Sequence, residues 1–201
     1  MILFPAFLKL AGKRCVVVGA GPVAEEKIEG LLRAGADVRV TAPEATRRIR
    51  ELARKKKLQW DERAFRASDL SGAFVVVAAT SSAALHAAIY RRARRRGVLC
   101  NVVDDPEHCD FYYGSVVRRG ELQIAISTAG QSPALAQRLR KKLEKEFGAE
   151  YEKWLEELGK VRKKLFAKKM APEERRALLH RLASEASLEE FVRRKKRKSR
   201  G

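Results

Sequence analysis

The sequence predicts an α/β chain: a parallel sheet layered by helices, then a small β-hairpin with a helix, then a C-terminal helical part. Three observations predict it. Strand and helix patterns alternate over the first half, which is the grammar of parallel βαβ units with helices on both faces of the sheet. The run Gly19-Ala20-Gly21-Pro22-Val23-Ala24 joins the first strand pattern to the first helix pattern, as in Rossmann-like sheets. After Pro106 the alternation gives way to a hairpin signal and then to helical spacing alone.

The elements follow in order. Arg14-Cys15-Val16-Val17-Val18 is a short β-branched run ending at glycine, suited to a strand buried on both faces. Residues 22–34 carry Ala24, Ile28, Leu31 and Leu32 at helical spacing, and Gly35 ends that helix. Residues 37–41 read as a second strand, 45–56 as a basic helix and 58–60 as a third strand. Phe74-Val75-Val76-Val77-Ala78 is the clearest apolar strand; a helix over 82–96 and a strand over 98–103 follow. Two strand-like runs, 113–117 and 122–127, flank Arg118-Arg119-Gly120-Glu121, a hairpin signal. Ser132-Pro133 has the form of an N-cap with proline at the first helical position, opening a helix to about Phe147. Helical patterns then cover 151–168 and 172–186, and Ser187-Leu188-Glu189-Glu190 opens a last short helix with capping-box spacing. Residues 193–200 are almost all Lys and Arg, whose mutual repulsion predicts disorder. The expected domains are 1–112 for the sheet, 113–147 for the hairpin and its helix, 148–192 for the helical part and 193–201 for a basic tail.

Composition narrows the classes. Of 201 residues, 45% are hydrophobic and 34% charged, enough apolar matter for a core. No apolar run approaches the roughly 20 residues of a membrane span, and Met1-Ile2-Leu3-Phe4-Pro5-Ala6 lacks the basic leader of a secretory signal. Cys15, Cys100 and Cys109 are few, odd in number and scattered, which argues against a disulfide scaffold or structural zinc and for a reducing cytoplasm. The 44 Lys and Arg against 25 Asp and Glu give +19. A field of that sign attracts nucleic acid, anionic lipid, polycarboxylates or phosphorylated small molecules; it is also the charge of a merely solvated Lys/Arg/Glu surface.

Four places carry candidate chemistry. The glycine run permits a tight turn and close approach of a pyrophosphate to backbone N–H groups at a helix N-terminus. The second strand leads into Ala42-Pro43-Glu44, where Glu44 stands a little late for a ribose-binding acid, and no Arg follows the strand directly, so NAD is favoured over NADP. Asn101-Val102-Val103-Asp104-Asp105-Pro106 lies at the carboxyl end of a strand, where an aspartate serves either as a general base or as a cap for the turn before Pro106. Ser127-Thr128-Ala129-Gly130-Gln131-Ser132-Pro133 reads either as an anion cradle or as ordinary helix capping. His86, His108 and His180 show no metal-ligand spacing, Cys100 reads as core, and Trp60 and Trp154 read as packing residues.

Together these pieces resemble the precorrin-2 dehydrogenase/sirohydrochlorin ferrochelatase family, including the corresponding part of siroheme synthase. Phe4-Pro5 and the run from Cys15 to Lys27 match first, then Ala78-Ala79-Thr80, Cys100-Asn101-Val102-Val103-Asp104 and Phe111. Ser115, Ile124-Ala125-Ile126-Ser127-Thr128 and Ser132-Pro133-Ala134-Leu135-Ala136 complete the series over about residues 1–145. The resemblance implies oxidation of precorrin-2 to sirohydrochlorin with NAD as hydride acceptor and, in many members, insertion of Fe²⁺ to give siroheme. It implies Asp104 as general acid/base for both steps. Gly19, Gly21, Pro22, Val23, Pro43, Glu44 and Thr80 fall to the cofactor, Asn101 and Thr128 to the tetrapyrrole, and no residue to a resident metal. It also implies an interlocked homodimer through the hairpin segment, and a helical part that helps form the substrate cleft. Two departures stand out: Thr128-Ala129-Gly130 replaces a common Ser-Gly-Gly run, and Ser81-Ser82 replaces a common acidic pair. Alanine tolerates positive φ less well than glycine.

Two alternatives come with this reading. One is a dehydrogenase without chelatase activity. The other is a nucleotide-sensing Rossmann module whose tail binds nucleic acid, against which stands the absence of a helix-turn-helix or of aromatic residues among the basic ones.

Overall fold

A computed structural model describes residues 2–198, the last of them by its backbone alone. The chain divides into two units, Met1–Tyr113 and Gly114 onward. The first carries β1 (Arg14–Val18), α1 (Pro22–Arg33), β2 (Asp37–Thr41), α2 (Arg47–Arg54), β3 (Gln59–Asp61), β4 (Val75–Ala78), α3 (Ala83–Arg95) and β5 (Leu99–Val102). Short 3₁₀ turns at Ala67–Leu70 and Pro106–His108 complete it.

All five strands run parallel in the order β3-β2-β1-β4-β5. The β-branched residues alternate between two cores. Cys15, Val17, Val38, Val40, Val75 and Val77 face Ala24, Ile28 and Leu31 of α1 and Ile49 of α2. Val16, Val18, Val76, Ala78, Cys100 and Val102 face Ile89 and Ala93 of α3. Burial on both faces explains why these strands read as continuous apolar runs. Val18 pairs with Thr41 on one side and Ala78 on the other, and Ala78 pairs with Val102. The carboxyl ends of four strands therefore finish at one edge, on which the first-unit candidates sit.

Boundaries shift where a local hydrogen bond outweighs helical spacing. The helix expected from Ala45 starts at Arg47, because Thr46 Oγ1 accepts the Ile49 N–H at 3.3 Å while Ala45 is buried in the turn before it. The third strand moves one residue on, as Trp60 pairs with Val40 and its indole donates to Ala42 O at 3.1 Å.

The second unit holds β6 (Ser115–Arg119) and β7 (Leu122–Ile126), paired antiparallel, then α4 (Pro133–Glu146), α5 (Glu150–Phe166), α6 (Pro172–Leu182) and α7 (Glu185–Lys198). Arg119 of the hairpin donates through Nε to Phe147 O and through Nη2 to Glu144 O, both at 2.7 Å. It thereby satisfies carbonyls left open at the C-terminus of α4, with a charge of the favourable sign. Phe147 also meets Tyr151 edge-on at 5.1 Å.

Two expectations for the tail are corrected. Ser187 does not open the last helix: α7 begins at Glu185, and Ser184 Oγ accepts the Ser187 N–H at 3.3 Å. The basic stretch expected to be disordered continues that helix through 198. Its charges meet partners that offset repulsion: Arg193 pairs with Glu189 at 3.2 Å, and Arg194 and Lys195 both pair with Glu157 of α5. Residues 199–201 of that expectation lie outside the described residues. Among the described residues no helix is long and apolar enough to cross a membrane.

Candidate active site

The β1–α1 turn is built from two glycines with different duties. Gly19 has φ +102, and a Cβ there would lie 2.2 Å from Ala79 O. Its N–H donates to Thr41 O at 3.0 Å, while Ala79 N–H donates to Val18 O at 2.8 Å, so the turn is tied to the ends of both β2 and β4. Glycine at 19 thus serves the close approach of the turn to the protein's own β4 end, where the sequence expectation concerns the approach of a pyrophosphate. Gly21 caps α1 in an extended conformation and is exposed; a Cβ there would meet nothing within 4 Å. Pro22 occupies the first helical position, where its missing N–H costs nothing, and Val23 is 50% exposed. The first-turn N–H groups of α1 have no partners within the helix. Open space at Gly21 beside those donors fits a dinucleotide pyrophosphate.

Along the same edge, Pro43 and Glu44 stand exposed in the β2–α2 turn, Glu44 without an ion pair among the described residues. Thr80, half-buried after β4, accepts the Ser82 N–H at 3.4 Å through Oγ1. Its carbonyl accepts from His86 Nε2 at 2.8 Å. His86 is 8% exposed, so this buried histidine holds the segment in which Thr80 sits.

The β5 end separates the two aspartates that residue type alone leaves equivalent. Asp105 takes the local role: its carboxylate accepts from His108 Nδ1 at 2.7 Å, and the His108 ring packs edge-on against Tyr90 at 4.9 Å. Asp104 is exposed, with φ +60 and no side-chain hydrogen bond or ion pair among the described residues. A left-handed backbone at a non-glycine residue is uncommon, though aspartate tolerates it better than most. Of the two aspartates, Asp104 is the one left available for chemistry; Glu107 of the following 3₁₀ turn is likewise exposed and unpartnered among the described residues.

Asn101, which the resemblance gives to the tetrapyrrole, has a structural duty here. It is 6% exposed, and its amide nitrogen donates to Phe111 O at 2.8 Å and to Cys109 Sγ at 3.4 Å. It braces the loop that follows β5. Cys109, whose spacing carried no signal in the sequence, is a hub of that loop: its sulfur lies 3.1 Å from Val102 O and 3.2 Å from Asp105 O, and accepts the Val102 N–H at 3.3 Å. Burial raises the thiol pKa of Cys109 and pushes that of Cys100 up to about 12 and that of Cys15 to about 11. All three are poor nucleophiles at neutral pH.

In the second unit, Thr128 Oγ1 accepts the Ser132 N–H at 3.2 Å and Ser132 Oγ accepts the Leu135 N–H at 3.2 Å. The segment therefore builds the N-terminus of α4, as its capping reading predicts. Ala129 has φ +49, next to Gly130 at φ +82. The alanine that replaces a common glycine thus sits in the conformation that favours glycine. Ala129→Gly is expected to stabilise the protein by about 1 kcal/mol, raising the Tm by about 2–4 °C; thermal unfolding checks it. Among the described residues no group of three or more His, Cys, Asp or Glu side chains could hold a metal ion.

The chain is similar to known proteins over most of its length. A family described as "Putative NAD(P)-binding" matches residues 6–115, and one described as "Sirohaem biosynthesis protein central" matches residues 119–146. Siroheme synthase 1 of Serratia proteamaculans is 41% identical over 144 residues, 72% of this chain and 30% of that protein. Siroheme synthase 1 of Yersinia enterocolitica is 43% identical over the same shares. The chain spans about 30% of the length of these curated relatives. A solved structure titled "SirC, precorrin-2 dehydrogenase" superposes with a TM-score of 0.78 at 25% identity, covering 96% of this chain and 98% of that one. The chain belongs to this NAD(P)-binding family, and the proteins it is similar to along its length are siroheme synthases and a precorrin-2 dehydrogenase.

Proposed function

We propose that the chain is an NAD-dependent precorrin-2 dehydrogenase that forms sirohydrochlorin in tetrapyrrole biosynthesis, in the cytoplasm. The observation that carries this reading is the unpaired carboxylate of Asp104, on the same strand edge as the open glycine turn. When bound, NAD accepts the hydride. Oxidation also releases a proton, and Asp104 is the residue to take it: an exposed carboxylate with no competing partner can accept a proton and return it to solvent. Gly21, Pro22 and Val23 receive the pyrophosphate. Pro43 and Glu44 flank the adenosine, where a carboxylate favours ribose hydroxyls and repels a 2′-phosphate. Thr80, braced by His86, borders the cofactor. Precorrin-2 bears many acetate and propionate carboxylates, which the net charge of +19 attracts. Thr128 belongs to the tetrapyrrole in this proposal, while Asn101 acts indirectly by bracing the loop after β5.

The reading is tested by anaerobic incubation of the purified protein with precorrin-2 and NAD⁺, following tetrapyrrole absorption and NADH together. Equal amounts of sirohydrochlorin and NADH support it; dinucleotide binding without turnover defeats it. The same carboxylate suits a further step in which Fe²⁺, as substrate, displaces pyrrole protons to give siroheme. A ferrous-iron insertion assay separates a bifunctional enzyme from a dehydrogenase alone. The two-stranded β6–β7 sheet leaves both edges unpaired, which supports pairing with a second copy; sedimentation of the purified chain tests the homodimer. The nucleic-acid reading loses ground because Arg193, Arg194 and Lys195 already face Glu189 and Glu157.

Gly21→Asp tests the cofactor site without disturbing the fold. The new side chain enters open space, and aspartate is a favourable N-cap. The Tm is expected to hold or rise, while NAD⁺ affinity falls about tenfold or more as a carboxylate meets the pyrophosphate. Unchanged affinity in a titration removes the glycine turn from the site.

A further inference from the structure

The charge of the first unit is unevenly placed. Its strands all begin at one edge of the sheet, and α1, α2 and α3 end there, because a helix joining parallel strands runs back against them. Over its last turns α3 carries Arg91, Arg92, Arg94 and Arg95, with Arg96 as its C-cap. Arg54 ends α2, and Lys55, Lys56 and Lys57 follow it. All of these are exposed, and none has an ion pair among the described residues. A cation in each last turn answers the helix dipole, but Lys56 and Lys57 lie beyond their helix, and α3 carries more arginines than a partial charge calls for. The acids nearby are engaged. Asp37 lies 3.6 Å from Arg14 and 3.8 Å from Arg39, Glu29 meets Arg48 at 3.2 Å and Arg33 at 4.0 Å, and Glu51 meets Arg47 at 2.9 Å. The exposed acids without an ion pair, Glu44, Asp104 and Glu107, stand at the opposite, cofactor edge.

Apolar side chains stand at the same edge. The chain enters it through the turn Leu10–Lys13, where Lys13 N–H donates to Leu10 O at 2.8 Å and Gly12 N–H donates to Gly35 O at 2.9 Å. Leu10 packs against the core. Before it, in a stretch without helix or strand, Ile2 is 100% exposed, Phe4 90% and Phe7 70%. Phe74, in the turn before β4, is exposed as well, with Lys13 Nζ 5.6 Å from its ring centre. A soluble surface rarely leaves so many large apolar side chains open in one short segment without a partner for them.

We infer that this edge, with the apolar segment leading into it, docks on an anionic lipid membrane. The partner has to answer two features at once. In an anionic bilayer, phosphate headgroups answer the arginines and lysines, and the hydrocarbon behind them receives Ile2, Phe4 and Phe7. A nucleic-acid strand answers the cations and leaves Ile2 without a partner. A second copy of the chain covers the apolar segment and leaves the arginines unanswered. The breadth of the charge also fits a plane. The clusters that end α2 and α3 lie on opposite faces of the sheet, beside β3 and β5, about 20 Å apart at the usual strand spacing. Lys13 and Phe74, which precede the central strands β1 and β4, fall between them. Lying in the interface requires no spanning helix, and charge with apolar insertion supplies the two signals that stable attachment takes. The docking edge and the glycine turn lie at opposite ends of the strands, so the cofactor edge faces away from the lipid.

Co-sedimentation of the full chain with vesicles, in near-physiological salt, tests the surface. Binding is expected to vesicles of phosphatidylglycerol and phosphatidylcholine in equal parts, and not to phosphatidylcholine alone. The triple variant Arg94→Gln, Arg95→Gln, Arg96→Gln should bind about a hundredfold more weakly, and the double variant Phe4→Ser, Phe7→Ser about tenfold or more. The variant Lys141→Gln, Lys142→Gln, Lys145→Gln removes the same charge from exposed positions of α4 and should bind as the wild type does. All the altered side chains are exposed, so the Tm should hold; a folding defect in one variant leaves the other to decide. No preference for the anionic vesicles overturns the inference, and so does an equal loss in the α4 variant, which reduces the effect to net charge. Binding of a single-stranded oligonucleotide that the arginine variant weakens and the phenylalanine variant does not, without vesicle binding, gives the edge to nucleic acid. Conversion of a dimer to a monomer by the phenylalanine variant gives the segment to a second copy. Either outcome overturns the membrane reading. NAD⁺ affinity should be the same with and without vesicles; a fall on vesicles places the contact at the cofactor edge and overturns it too.

Discussion

Asp104→Ala is expected to lower the rate of precorrin-2 oxidation by about 10²–10⁴-fold, the range for losing a positioned acid/base group, while NAD⁺ binding stays close to wild type. Most neighbouring groups of the same segment are committed elsewhere. Asp105 is held by His108 at 2.7 Å, Cys109 has its thiol raised by burial, and Asn101 braces Phe111. Asp104 and Glu107 both reach solvent with no side-chain partner among the described residues, and Asp104 stands closer along the chain to the end of β5. Its φ of +60 adds a complication, because alanine tolerates that backbone less well than aspartate. A loss of about 1 kcal/mol of stability is expected to accompany the alanine substitution. Asp104→Asn avoids it, since asparagine also adopts left-handed conformations and only the charge is removed. Both variants should lose turnover and the asparagine variant should keep the wild-type Tm. Asp105→Asn should do the opposite, lowering the Tm through its bond to His108 with most of the turnover kept. Steady-state kinetics and thermal unfolding on the three variants separate these roles. Wild-type turnover in Asp104→Asn would show that the proton leaves by another route.

The strands were legible because a parallel sheet buries them on both faces, and Val16-Val17-Val18 and Val75-Val76-Val77 have no other stable placement. The glycine turn was legible for a related reason: its spacing is demanded by backbone approach, which sequence records directly. Helix starts were read less well. Thr46 and Ser184 each end a non-helical stretch with a side-chain cap, while the hydrophobic spacing of Ala45 and the capping-box spacing at Ser187 pointed elsewhere. A cap is a contest among nearby hydroxyls, and spacing alone does not say which of them wins. The bridge from Arg119 to Phe147 and Glu144 joins residues far apart in sequence, and nothing local announces it. The same holds for the site. The sequence singled out Asn101-Val102-Val103-Asp104-Asp105, yet the division of labour between the two aspartates depends on His108 and Tyr90.

Gly19→Ala should be the most damaging single-methyl change in the first unit. Two penalties add. The backbone at φ +102 lies outside what an L-residue adopts readily, and the new Cβ would lie 2.2 Å from Ala79 O, 2.8 Å from Ala79 C and 3.2 Å from Thr80 Cγ2. The first two are main-chain atoms at the end of β4, so no side-chain rotation relieves them. Relief requires the turn to lift from β4, which breaks the Gly19 N–H bond to Thr41 O or the Ala79 N–H bond to Val18 O. Strain of this kind and the lost bond together amount to about 3–5 kcal/mol, which for a chain of this size lowers the Tm by about 6–20 °C. Because the turn moves with the strain, NAD⁺ affinity should fall as well. The contrast with Gly21 is what makes the result decisive. Added atoms at Gly21 enter open space and its φ of −81° suits alanine, so Gly21→Ala should lower the Tm by only about 1–4 °C, the cost of a poorer N-cap. Thermal unfolding and NAD⁺ titration of the two alanine variants test this directly. If Gly19→Ala melts with the wild type, the turn is free to move away from β4, and the cofactor edge is looser than these backbone bonds imply.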